Sequence, residues 1–150
     1  MPIVGVLLAA GFSRRYGANK LIQRLPDGTF VAVTAGRNLL AALPDSIAVV
    51  RPDVPELAAA LGAAGLRVVI CESAHLGMGA SLAEGIRATT HADGWVVALA
   101  DMPFILPASI RMVAAGIEAG HPIVATQYGG ERGHPGGFSS GYRAELSQLS

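Results

Sequence analysis

Two segments of this 150-residue chain hold charged groups at spacings that suit a polyphosphate and a hard cation. The first reads Leu8-Ala9-Ala10-Gly11-Phe12-Ser13-Arg14-Arg15-Tyr16-Gly17-Ala18-Asn19-Lys20. Its small residues let backbone approach a ligand closely, and Gly11 is free to take a positive φ. Successive exposed N–H groups can form an anion-binding concavity. Arg14 offers a planar fork to phosphate oxygens and Lys20 a mobile point charge. The same string could be a glycine turn with solvated basic residues. It is neither a Walker A loop nor a GxGxxG fingerprint. The second segment is Asp101-Met102-Pro103, directly after the apolar run Trp95-Val96-Val97-Ala98-Leu99-Ala100. A carboxylate there could hold Mg²⁺, an ion that takes one or two carboxylates and fills its octahedron with water and phosphate oxygens. The other reading of Asp101 is a helix cap.

Two further stretches are glycine-rich. Leu76-Gly77-Met78-Gly79-Ala80-Ser81-Leu82 leads into a helical pattern, and its free N–H groups favour an anion or a base carbonyl. It could equally be a plain helix entrance. Arg132-Gly133-His134-Pro135 lies in a glycine-rich loop, where His134 could donate to a phosphate or simply fold the turn. His75, His91 and His121 read as surface or turn residues.

The elements that must position these groups follow from hydrophobic patterning. Ile3–Leu8 is a continuous apolar run of the kind expected for a fully buried parallel strand. Runs of the same type recur at Ile47–Val50, Leu66–Cys71, Trp95–Ala100 and Ile123–Thr126. Helical patterns lie between them. Asp53 and Glu56 suggest a capping box, with Asp53 as the cap. Pro107 opens another helix, in which Ile110, Val113, Ala114 and Ile117 share one face and which Gly120 closes. Leu82 and Ile86 give a shorter helix the same spacing. Alternating strands and helices imply βαβ units and an α/β fold with a mostly parallel sheet. Ligands then bind beyond the C-terminal ends of the strands, where the charged segments fall. With no linker, repeat or low-complexity tract, residues 1–150 read as one domain.

Composition narrows the function classes. The chain is 51% hydrophobic and 5% aromatic, so its core must be aliphatic. Eleven Lys and Arg balance eleven Asp and Glu, so no global field draws it to nucleic acid or to a membrane surface. Cys71, the single cysteine, cannot form an internal disulfide, and no Cys/His zinc spacing exists. The N-terminus lacks the basic segment of a signal peptide, and no apolar stretch is long enough to span a membrane. The expectation is a soluble, cytoplasmic protein.

The strings above resemble those of the MobA-like NTP transferases, and within them the molybdenum cofactor cytidylyltransferases. The first loop is similar to the Leu-Ala-Ala-Gly-x-Ser-x-Arg-x-Gly-x-x-Lys signature that follows the family's first strand. Ala100-Asp101-Met102-Pro103 is similar to its metal-binding motif, Gly77-Met78-x-x-Ser81-Leu82 to its nucleobase and ribose motif, and Arg132-Gly133-His134-Pro135 to its acceptor-side motif. The resemblance implies a three-layer sheet of Rossmann-like, nucleotide-diphospho-sugar transferase-like topology. It implies nucleotide contacts from Leu8, Ala9, Ala10, Gly11, Arg14, Lys20, Gly79 and Ser81, acceptor contacts from Arg132, Gly133, His134 and Pro135, and Mg²⁺ on Asp101. Arg14, Lys20 and Asp101 would be the catalytic groups. The implied reaction is nucleotidyl transfer from CTP to a molybdopterin-type cofactor with release of pyrophosphate, and a molybdenum hydroxylase or its maturation factor is the implied protein partner. Guanylyl or sugar-phosphate transfer on the same fold, and a nucleotide-binding protein without catalysis, are the alternatives. The chain departs from the pattern in three places. It has Cys71-Glu72-Ser73 where relatives have an Asn, and Gly136-Gly137-Phe138 where relatives continue with Val and an apolar residue. It also ends at Ser150, before the family's C-terminal Gly-Asp segment, so it is expected to lack that extension and its acidic residue.

Overall fold

A computed structural model describes residues 2–11, 20–128 and 131–150. Six strands form one sheet: β1 (Ile3–Ala9), β2 (Ser46–Val50), β3 (Arg67–Ile70), β4 (Gly94–Leu99), β5 (Ile123–Tyr128) and β6 (Glu131–Ser139). Among the described residues five α-helices accompany them: α1 (Val31–Ala42), α2 (Pro55–Ala64), α3 (Met78–Arg87), α4 (Pro107–Glu118) and α5 (Arg143–Leu146). The strand order is β3-β2-β1-β4-β6-β5. β1 pairs in parallel with β2 and β4, β2 in parallel with β3, and β6 antiparallel with both β4 and β5. The sheet is therefore mostly parallel, as the alternation of elements implied.

β1 is buried along its whole length, and its side chains alternate between two cores. Ile3, Leu7 and Ala9 join the core beneath α1, α2 and α4, whereas Val4, Val6 and Leu8 join the core beneath α3 and α5. This gives three layers. Gly5 sits where β1 meets α1, and a Cβ there would collide with Ser46 Oγ and come within 2.8 Å of Leu39.

The predicted α4 forms as read. Pro107 occupies its first turn, Ile110, Val113, Ala114 and Ile117 are buried, and Gly120 follows its end at φ 103°. Three readings change, and one helix appears that the sequence did not announce. Asp53 does not cap α2, because the cap position is Val54 and Asp53 instead pairs with Arg51 at 2.5 Å. The runs at 66–71 and 123–126 are not fully buried. They become β3 and β5, the two edge strands, with Ile70 50% and Ile123 41% exposed. α1 had no sequence signal, since Phe30 at its start makes no side-chain cap and its buried face is built largely from small residues. Finally, the glycine-rich stretch around residues 132–138 is not a loop but strand β6. Its glycines receive α4: a Cβ on Gly137 would lie 2.8 Å from Val113 and 2.9 Å from Ile117. The close approach removes the apolar alternation by which a strand is recognised.

Candidate functional site at the C-terminal edge of the sheet

The chain moves from β1 to β2 on one side and reaches β4 on the other, so the strand order reverses at β1. A crevice opens beyond the strand ends at such a point. Ala9 and Ala10 are buried there and Gly11 is exposed, with open space where a Cβ would point. The Ala100 amide donates to the Leu8 carbonyl at 3.1 Å, which ties the end of β4 to the end of β1. Lys20 is exposed and begins a short 3-10 turn (Lys20–Ile22), anchored by buried Leu21. Arg14 lies outside the described residues. So does Arg15, on which the fixed arginine of the Leu-Ala-Ala-Gly signature falls when counted from Leu8.

Asp101 is exposed, one residue past the tie to β1. The turn that presents it is closed by the Met102 amide donating to the Leu99 carbonyl at 3.1 Å. It is held from α1 by Asn38, whose Nδ2 donates to the Pro103 carbonyl at 3.0 Å. α4 starts at Pro107 with Leu106 in its cap position, so Asp101 caps no helix. The carboxylate is thus presented to solvent at the strand end, where a hard divalent cation fits its chemistry.

β6 runs back along β4 with Gly136 opposite Val97, so the residues before Gly136 travel towards the Asp101 turn. The β5–β6 register shifts between Ala125 and Thr126, whose partners are Gly136 and Gly133. His134 and Pro135, joined by a cis peptide, fall in that shift. Thr126 Oγ1 donates to the Pro135 carbonyl at 3.1 Å and closes it. The His134 ring is half-buried. Burial pushes its pKa below the usual 6.5, and the smaller, opposing influence is the negative charge of Asp101. The His134 ring thus lies within the electrostatic reach of Asp101. Gly133 and Pro135 flank it, while the Arg132 side chain lies outside the described residues.

α3 enters the same edge from the β2 side of β1. Cys71 extends past β3, its amide donating to the Val50 carbonyl at 2.9 Å, and its thiol lies 3.8 Å from the Ala80 carbonyl. No side chain caps the start of α3. Ser81 is 3% exposed, and Gly79 packs against Leu149 and Ser150. Gly79 and Ser81 thus flank β1 on one side while Asp101 and His134 flank it on the other. Among the described residues no group of three or more His, Cys, Asp or Glu could hold a metal ion. Asn38 and Thr126, which position the site, carried no sequence signal, because their partners are distant in sequence or are backbone carbonyls.

A Rossmann-like α/β sheet with a small-residue loop after β1 and a carboxylate after β4 defines a nucleotide-binding domain. The chain belongs to the MobA-like NTP transferase domain family, which matches residues 5–150, and it is a nucleotidyltransferase of that fold. It is similar to Rv0371c from Mycobacterium tuberculosis H37Rv, with 31% identity and a TM-score of 0.85 over 99% of this chain and 76% of that one. A second structure of that protein is a complex with manganese, at 28% identity and a TM-score of 0.76 over 99% of this chain and 77% of that one. A nucleotidyl transferase from Methanothermobacter thermautotroptrophicus is 25% identical, with a TM-score of 0.85 over 99% of this chain and 76% of that one. A molybdopterin-guanine dinucleotide biosynthesis protein A from Archaeoglobus fulgidus, 19% identical over 97% of this chain and 72% of that one, shares the fold at a TM-score of 0.70. No curated protein matches. No helix among the described residues is long and apolar enough to cross a membrane.

Proposed function

We propose that residues 1–150 act as one domain that transfers a cytidylyl group from CTP to the phosphate of a molybdopterin-type cofactor, releasing pyrophosphate, in the cytoplasm. The observation that supports this reading is the tie between the ends of β1 and β4 just before the Asp101 turn, at the edge towards which β6 runs back. A phosphate oxygen of the acceptor attacks the α-phosphorus of the nucleotide in line. A new P–O bond forms, the α–β bridging bond breaks, and its electron pair leaves with pyrophosphate. The nucleophile is already ionised, so no general base is required, and catalysis reduces to positioning and charge neutralisation.

Leu8, Ala9, Ala10 and Gly11 would let backbone amides approach the phosphates. Lys20, with Arg14 and its neighbour Arg15, would neutralise the departing pyrophosphate. Gly79 and Ser81 would border the base and ribose, and Arg132, Gly133, His134 and Pro135 the acceptor. Asp101 would hold a divalent cation such as Mg²⁺. When bound, that ion supplies charge neutralisation between the reacting phosphates. A molybdenum hydroxylase or its maturation factor would receive the product.

The choice of CTP rests on Ala10 in the Leu8-Ala9-Ala10-Gly11 string, where guanylyl-transferring relatives tend to carry Gly. The test is pyrophosphate release with each of the four nucleoside triphosphates, with and without molybdopterin. Release that needs both CTP and molybdopterin is expected. Faster release with GTP, or release that needs a sugar phosphate instead, would overturn the assignment.

A further inference from the structure

We infer that Asn38 is a positioning residue for the proposed reaction. Its side-chain amide fixes the Asp101 turn to α1, the helix against which the Lys20 turn also packs, and so sets the spacing between cation and triphosphate. The inference rests on the reading of Asp101 as a cation ligand and deepens it.

Residues 103–105 link the Asp101 turn to α4 with little of their own to hold them. Phe104 is 66% exposed, and Leu106, at the cap position of α4, is 64% exposed. Ile105 is the apolar anchor, partly buried against the core beneath α1. Pro103 has no N–H, so its carbonyl is its one backbone handle. The bond from Asn38 Nδ2 to that carbonyl is 3.0 Å long and part-buried, and it joins residues 65 positions apart. Among the described residues it is the one hydrogen bond that residues 103–105 make.

α1 braces the Lys20 turn as well. Leu21, in the middle of the Lys20–Ile22 turn, is buried in the same core as Ala32, Val33, Ala35 and Leu39 of α1. The Gln23 amide donates to the Lys20 carbonyl at 3.1 Å, and the Gln23 carbonyl accepts from the amide of Val31, the first residue of α1, at 2.9 Å. Arg111 Nη2 donates to the Ala41 carbonyl at 3.3 Å, which holds α4 to the far end of the same helix. One helix thus stands behind both the turn that begins with Lys20 and the turn that presents Asp101.

A triphosphate that meets both a cation on Asp101 and the ammonium of Lys20 gains from the two together only if their separation is fixed. Removal of the Asn38 amide leaves both charged groups in the chain but lets the Asp101 turn relax relative to α1. The nucleotide alone then binds as before, and the cation adds less to its binding.

Calorimetric titration of CTP into the whole chain and its variants, with and without Mg²⁺, tests this. Asn38→Ala should cut the Mg²⁺-dependent gain in CTP affinity by about two- to tenfold, the worth of one neutral hydrogen bond, with CTP alone unaffected. Asn38→Asp, nearly the same size but unable to donate once ionised, should cut the gain at least as far. Thr89→Val, which takes a buried hydrogen bond from Trp95, is the control for lost stability and should keep the whole gain. A full gain in Asn38→Ala, with the gain abolished in Asp101→Asn, would overturn the role of Asn38 and leave the Asp101 reading standing. Equal losses of CTP affinity with and without Mg²⁺ would show a purely structural role for Asn38 and overturn the inference as well. A gain that is absent from the unmodified chain, or full in Asp101→Asn, would overturn both readings.

Discussion

Lys20 is exposed at the start of the 3-10 turn that follows β1, and the proposed reaction assigns it to the outer phosphates of the nucleotide. A charged hydrogen bond contributes roughly 1.5–3 kcal/mol, so Lys20→Ala should weaken triphosphate binding about tenfold or more. Monophosphate binding should change much less. Titrating CTP and CMP against both proteins checks this, and equal losses for the two nucleotides would remove Lys20 from the site. His134 carries a pH dependence whose sign is fixed by its surroundings. Burial lowers its pKa in the fold, so the unfolded chain binds more protons at pH values below the usual 6.5. Stability contributed by the neutral ring is present above 6.5 and declines as pH falls towards the lowered folded value. Denaturant midpoints at about pH 7.5 and about pH 5.5 should converge somewhat for His134→Gln relative to the unmodified chain. An identical pH response in both would contradict the buried, neutral ring.

At the scale of elements, the site is braced from behind by an aromatic anchor. Trp95 on β4 is fully buried, and its Nε1 donates to Thr89 Oγ1 at 2.9 Å. Arg143 of α5 lies over the Trp95 ring at 4.8 Å and donates to the Thr89 and Ala92 carbonyls. Thr89→Val would leave the indole N–H buried without a partner, a loss of about 1–3 kcal/mol. Chemical denaturation should show that cost with nucleotide affinity nearly unchanged in the folded fraction. Gly137→Ala should cost about 1–3 kcal/mol by overpacking β6 against Val113 and Ile117. These same contacts explain which elements could be read in the sequence. β1, β2 and β4 are central, so their apolar runs announce them, and α4 carries Pro107, a regular buried face and a terminal Gly120. β6 could not be read, because its packing is encoded in α4 and appears in its own sequence only as missing side chains. α1 could not be read because its contacts come from small residues pressed close to neighbours, as at Gly36, where a Cβ would come within 2.7 Å of Leu66. Of the candidate site, local motifs single out Asp101 and the segment after β1 in the sequence itself. That β6 runs back beside β4 towards the Asp101 turn was not legible, because it depends on antiparallel pairing between distant segments.

Over the whole molecule, the reversal of strand order at β1 decides where chemistry can occur. It brings the end of β1 and the Asp101 turn side by side, with α3 on one flank and β6 on the other. The edge strands β3 and β5 hold none of the proposed catalytic groups, so substitutions at exposed Arg67 or Ile123 should leave nucleotide binding intact. The central claim is that a triphosphate and a divalent cation occupy this edge together, with Asp101 as the protein's anchor for the cation. Calorimetric titration of CTP into the chain, with and without Mg²⁺ or Mn²⁺, tests it most directly when repeated on Asp101→Asn. The account predicts that the cation tightens CTP binding to the unmodified chain and that Asp101→Asn, nearly isosteric but uncharged, abolishes the gain while leaving the fold intact. A cation-dependent gain of the same size in Asp101→Asn would contradict it.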